Sequence, residues 1–90
     1  MKKMYSIYDS KAEQFNDPFI AATHGVALRI FASHVANPET IWAQYPSDFT
    51  LFYVGEFDPE KGAMHKCATP VSLGLASEHV TIEEDRKSTR

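Results

Sequence analysis

Asp48-Phe49-Thr50-Leu51-Phe52-Tyr53-Val54-Gly55-Glu56-Phe57, then Asp58-Pro59-Glu60-Lys61-Gly62, then Ala63-Met64-His65-Lys66-Cys67, reads as a β-hairpin. The first segment is rich in aromatic and β-branched residues, which suit a pleated surface. The second is turn chemistry: Pro59 presets one φ, and Gly62 can take a left-handed conformation. The third is the return strand. Strict alternation sends Phe49, Leu51, Tyr53 and Phe57 to one face and Thr50, Phe52, Val54 and Glu56 to the other. Both faces are partly apolar, so this strand belongs inside a sheet with something packed on each side. A single small domain covers one face. The second is left for a partner chain or a ligand.

Upstream of the hairpin, residues 3–9 alternate and form a first strand. Asp9 to Gln14 is polar and reads as a loop or one helical turn, and Asp17-Pro18 breaks any helix there. Phe19-Ile20-Ala21 is a brief strand or a buried loop. Thr23 caps a helix ending near Asn37, with Val26, Ala27, Ile30, Phe31, His34 and Val35 in one stripe. The stripe places His34 at the core edge as a hydrogen-bonded histidine. Asn37 as cap with Pro38 at the first helical position predicts a short helix over 38–44 carrying Ile41 and Trp42, ended by Pro46.

Downstream, Thr69-Pro70-Val71-Ser72 reads as the cap of a last short helix with Leu73, Leu75, Ala76 and His79. From Thr81 the chain carries one apolar residue, Ile82, and cannot offset its ordering entropy. Residues 1–80 are therefore expected to form one domain and 81–90 a disordered charged tail. The expected fold is α+β: a small, mainly antiparallel sheet of three to four strands with one main helix packed on one face.

A chain of 90 residues is marginal unless its core is compact or a partner covers it. The lone Cys67 excludes an internal disulfide and a cysteine metal cluster, which points to a reducing compartment. No apolar run approaches the ~20 residues that span a bilayer, so no membrane association is expected. Met1-Lys2-Lys3 leads into Tyr5, Ser6 and Tyr8 rather than an apolar signal core, which argues against export. The net charge of −3 argues against a simple electrostatic coat on DNA and leaves room for a local basic patch.

Catalytic chemistry finds little purchase. His24 and His34 are nearly three helical turns apart, and neither His65 nor His79 completes a metal-binding spacing. Asp58, Glu60, Glu83, Glu84 and Asp85 sit in a turn and a tail, where carboxylates are solvated. Cys67 has only Lys66 beside it to support a thiolate. No phosphate loop, dinucleotide fingerprint or nucleophile elbow is present. The expectation is a protein that is not an enzyme, with no cofactor and no metal. Aromatic residues interleaved with cations remain: Lys2, Lys3, Tyr5, Tyr8 and Lys11 at the start, Arg29 on the helix, and Tyr53, Lys61 and Lys66 in the hairpin. Such a set can stack unpaired bases while cations hold phosphates. The competing reading is that strand aromatics serve the core.

Three blocks carry a family resemblance: Lys3-Met4-Tyr5-Ser6-Ile7-Tyr8-Asp9-Ser10-Lys11-Ala12-Glu13, Ala27-Leu28-Arg29-Ile30-Phe31, and Pro46-Ser47-Asp48-Phe49-Thr50-Leu51-Phe52-Tyr53-Val54-Gly55-Glu56-Phe57-Asp58. With Pro18-Phe19 and Thr69-Pro70-Val71-Ser72-Leu73, the sequence resembles the small non-structural protein of gokushovirus-type microviruses over residues 3–76. These phages have circular single-stranded DNA genomes. The resemblance implies a DNA-binding protein acting when replication switches to single-stranded genome synthesis, in the cytoplasm of the infected bacterium. It brings no agreed binding residues with it.

Two expectations follow. In the first, single-stranded DNA meets Lys2, Lys3, Lys11, Arg29, Lys61 and Lys66 through phosphates and Tyr5, Tyr8 or Tyr53 through bases. In the second, an apolar sheet face or edge strand pairs with a second copy as a homodimer, with the phage replication initiator, or with a host factor. The character of the second sheet face separates them: continuous and apolar, or aromatic and ringed by lysine.

Overall fold

Residues 1–79 are described by a computed structural model. Its order is β1 (Lys2–Asp9), β2 (Gln14–Phe15), β3 (Phe19–Ala21), α1 (His24–Ala36), α2 (Ile41–Gln44), a 3-10 turn (Pro46–Asp48), β4 (Phe49–Asp58) and β5 (Ala63–Leu75). The sheet runs β2-β1-β4-β5, and β3 shares the outer edge of β1 with β2. Every pairing is antiparallel. The α+β expectation holds: a curled sheet four strands wide, with one main helix against it. The segment 81–90 expected as a tail lies outside the described residues.

The hairpin forms as its turn chemistry dictates. Asp58 Oδ1 accepts from the Glu60 amide at 2.9 Å, the Gly62 amide donates to the Asp58 carbonyl, and Gly62 takes φ 67°. The face assignment past Tyr53 needs correction. Tyr5 pairs with Tyr53 but Met4 pairs with Gly55, so Val54 is an extra residue in β4. A bulge of this kind reverses which side chains face which way. Phe57 consequently joins Phe52 on the face away from the helix, and Glu56 moves to the helix side.

The return strand corrects a second expectation. β5 continues through Thr69–Ser72 to Leu75, and helical residues begin only at 76–79. Pro70 is accommodated because residues 67–70 form a second bulge, where no ladder N–H is required. Leu75 N is then satisfied by the Glu78 carboxylate at 2.9 Å.

Helix α1 starts where the sequence indicates, with Thr23 Oγ1 accepting from the Val26 amide at 3.1 Å. Its buried stripe is Ala27, Phe31 and Val35, packed on Tyr5, Ile7, Phe49 and Leu51 of the sheet. His34 is exposed rather than at the core edge, with its ring 5.1 Å from that of Trp42. The short helix α2 is capped by Thr40, not Asn37. The Asn37 side chain instead accepts from the Glu39 amide in a local turn, the conformation its short amide favours.

Candidate nucleic-acid interface

The ladder registers assign every paired strand residue to a face. Tyr5, Ile7, Ala21, Phe49 and Leu51 are buried against α1 and define the helix side. The opposite face carries Lys2, Met4, Ser6 and Tyr8 from β1. Partnered with them are Phe15 from β2, Ile20 from β3, and Thr50, Phe52, Gly55 and Phe57 from β4. Across β4, strand β5 adds Met64, Lys66, Ser72 and Leu75. No helix residue of the core cluster packs on this face, though its middle is closed to solvent, with Met4 and Ser6 both buried.

An aromatic cluster occupies one end of it. The Tyr8 and Phe15 rings are 4.8 Å apart, Phe15 and Phe52 5.4 Å, and Tyr8 and Phe52 6.3 Å. Edge-on and tilted packing of this kind suits the ring quadrupoles. Phe15 keeps 45% of its surface open to solvent. The other end holds Phe57 beside Lys2 and Met64, with Lys66 opposite Gly55. At roughly 3.4 Å per residue, Lys2 stands on the order of 20 Å from Tyr8 along β1.

Charge divides by face. The strand carboxylates at paired positions, Asp9, Glu56 and Asp58, all stand in register with helix-side partners: Phe49, Lys3 and Ala63. Among the described residues the opposite face has no carboxylate at any paired position and two lysines, both exposed. A chain with a net charge of −3 thus presents a sheet face that is locally positive.

The sequence-derived candidates separate accordingly. Lys2, Tyr8 and Lys66 share the open face, Tyr8 at one end and the two lysines toward the other. Tyr5 does not belong to the set: it is fully buried, with its hydroxyl 2.7 Å from His24 Nδ1 and its ring against Phe19 and Tyr53. Tyr53 also points to the helix side, its ring 5.1 Å from that of His24. Burial raises the phenol pKa of both tyrosines above 10.0. Tyr53 adds to the rise at Tyr5, while Glu56 and then Cys67 add to it at Tyr53. Lys3 is on the helix side opposite Glu56, and Arg29 is on α1. Lys11 and Lys61 sit in turns.

Phe15 and Phe52 are functional candidates that the sequence reading missed. Asp9 Oδ1 accepts from the amides of Lys11 (2.9 Å) and Ala12 (3.2 Å), closing a tight turn that returns the chain along β1 and sets Phe15 beside Tyr8. Asp followed by Ser and Lys was the available signal for that turn. Ser6, buried and paired with Phe52, donates to the Asn16 carbonyl at 2.6 Å and fixes the segment behind Phe15. Among the described residues no group of three or more His, Cys, Asp or Glu side chains converges on a metal position, and no helix is long and apolar enough to cross a membrane.

Comparison with known proteins adds two findings. A family model described as Phage ORF5 protein matches residues 2–79. The chain is 35% identical over 77 residues to Protein ORF5 of Chlamydia phage 1, an alignment covering 81% of this chain and 76% of the relative. No solved structure matches the chain.

Proposed function

Because the chain belongs to the Phage ORF5 protein family, we propose that it binds single-stranded DNA through its open sheet face while the viral genome is replicated, and that it does so without enzymatic chemistry. The observation that carries this reading is the partition of charge and aromaticity between the two faces. Tyr8, Phe15, Phe52 and Phe57 share a face with Lys2 and Lys66, and the paired strand carboxylates lie on the other. Bases stack on the exposed ring of Phe15 and its neighbours, each worth about 1–3 kcal/mol, with little regard to sequence. Lys2 and Lys66 meet phosphates at the far end of the same face. Two such contacts make a weak binder, which suits a protein that must coat and leave a strand.

A second reading is favoured by the apolar residues on that face. Ile20, Met64 and Leu75 are exposed by 47%, 71% and 38%, and among the described residues no strand pairs with the outer edge of β5. A second copy of the chain, the replication initiator or a host factor packing there would bury them. Fluorescence anisotropy of a labelled single-stranded oligonucleotide, titrated at several salt concentrations beside a duplex control, separates the two. Salt-sensitive binding that prefers the single strand supports the first. No binding at low salt and high protein concentration overturns it in favour of the second.

A further inference from the structure

A cavity of about 720 Å³ opens between α1, α2 and the β2–β3 segment, and Phe15 lines it as well as the open sheet face. Its walls are apolar and aromatic: Phe19, Ile30, Phe31 and Trp42. That size and lining are those of small-molecule sites. Polar groups come from Gln14, Asn16, Asp17 and His34, and among the described residues no lysine or arginine lines it. A phosphate therefore has nothing to hold it there, and the cavity favours a neutral flat ring.

Among the described residues Asp17 is the only carboxylate in the lining, and no side chain or amide pairs with it. An ionised carboxylate accepts and cannot donate. Two parallel N–H bonds to one carboxylate form the strong, orienting arrangement. Of the unpaired DNA bases only guanine offers adjacent donors, its N1–H and its exocyclic amine. Adenine and cytosine offer the amine alone, and thymine offers one N–H between two carbonyls. Unpaired bases are commonly read in this way, by stacking on aromatic side chains and hydrogen bonds on the Watson–Crick edge. Trp42 lines the wall with its ring, while its Nε1 is closed to solvent and has no acceptor among the described residues.

From this we propose that the cavity takes one unpaired guanine base from a strand lying on the aromatic face, with Asp17 selecting it. The proposal rests on the single-strand reading for its biological setting, and the pocket can be tested without it.

Trp42 is the chain's only tryptophan, so its emission reports occupancy of the cavity. The four 2′-deoxynucleosides are titrated in turn into the intact protein and into Asp17→Asn. Anisotropy with a labelled oligonucleotide lacking guanine is measured in parallel. The expected result is quenching by deoxyguanosine at roughly tenfold lower concentration than by thymidine, a preference that Asp17→Asn abolishes while leaving the guanine-free strand bound as before. Equal response to all four nucleosides, or none, overturns the proposal even if the oligonucleotide binds. Nucleoside-insensitive emission that changes when residues 80–90 are removed assigns the cavity to the chain's own C-terminal segment and also overturns it. Deoxyguanosine quenching without oligonucleotide binding upholds the pocket and defeats the single-strand reading.

Discussion

The Tyr5 hydroxyl lies 2.7 Å from His24 Nδ1, tying the middle of β1 to the first residue of α1. Tyr5 is the centre of a ring cluster with Phe19, His24 and Tyr53 and is closed to solvent. Its role is to hold the helix on the sheet. Tyr5→Phe keeps the ring and removes the hydrogen bond, so stability should fall by about 0.5–1.5 kcal/mol, read as a lower urea midpoint at unchanged slope. Binding of a single-stranded oligonucleotide should be unaltered. A loss of affinity with no loss of stability would return Tyr5 to the interface.

The same cluster sets an alkaline limit. Both Tyr5 and Tyr53 titrate above 10.0 in the fold, chiefly because burial disfavours the phenolate. The unfolded chain then ionises first, and above pH 10 the folded state holds more protons. The stability contributed by the neutral phenols is complete below pH 10, falls as pH rises past it, and is gone once both raised values have been passed. Denaturation midpoints measured from pH 8 to 12 should decline more steeply for the natural chain than for Tyr5→Phe with Tyr53→Phe. Parallel curves would contradict this.

Gly55 leaves no room for a side chain between β4 and β5. A Cβ built there meets the His65 carbonyl oxygen and comes within 3.0 Å of the Lys66 Cα, both backbone atoms of β5. Neither can swing aside as a side-chain tip does. Gly55→Ala should therefore cost at least about 1–3 kcal/mol by overpacking and detach the hairpin tip from β1. Gly62→Ala offers the contrast: its Cβ enters open space, and only the φ of 67° is strained. Thermal melts of the two variants give the comparison, and equal melting temperatures would sink the close-approach argument.

What the sequence could reveal was local. The Thr23 cap and the Ala27-Phe31-Val35 stripe are set within one helix, and the Asp58–Gly62 turn within one loop. The missed features depend on neighbours. Val54 and residues 67–70 are bulges only because β4 must match β1 on one side and β5 on the other. Those bulges decide the face of Phe57 and let Pro70 sit inside a strand. β2 is two residues long and has no periodicity to detect. The candidate site was half legible. Tyr5 and Tyr8 are three apart on one strand, so their opposite faces followed from parity alone, and so did the separation of Phe52 from Tyr53. That no helix residue of the core would pack on the Tyr8 face, and that Phe15 would arrive beside it, required the fold.

If the open face holds single-stranded DNA, its two ends make different contributions. Phe15 is 45% exposed and lies outside the buried core, so Phe15→Ala should change stability by less than about 1 kcal/mol. It should weaken oligonucleotide binding by about 1–3 kcal/mol, roughly 5- to 150-fold, at every salt concentration alike, because stacking releases no counterion. Lys2→Ala and Lys66→Ala should act the other way, each reducing the slope of log affinity against log salt by about 0.7. Arg29→Ala, on the helix, should leave both affinity and slope in place. Anisotropy titrations of these variants over a range of salt concentrations distinguish the three behaviours. A slope that responds to Arg29 and ignores Lys2 and Lys66 would put the phosphates on the helix side and overturn the assignment of the face.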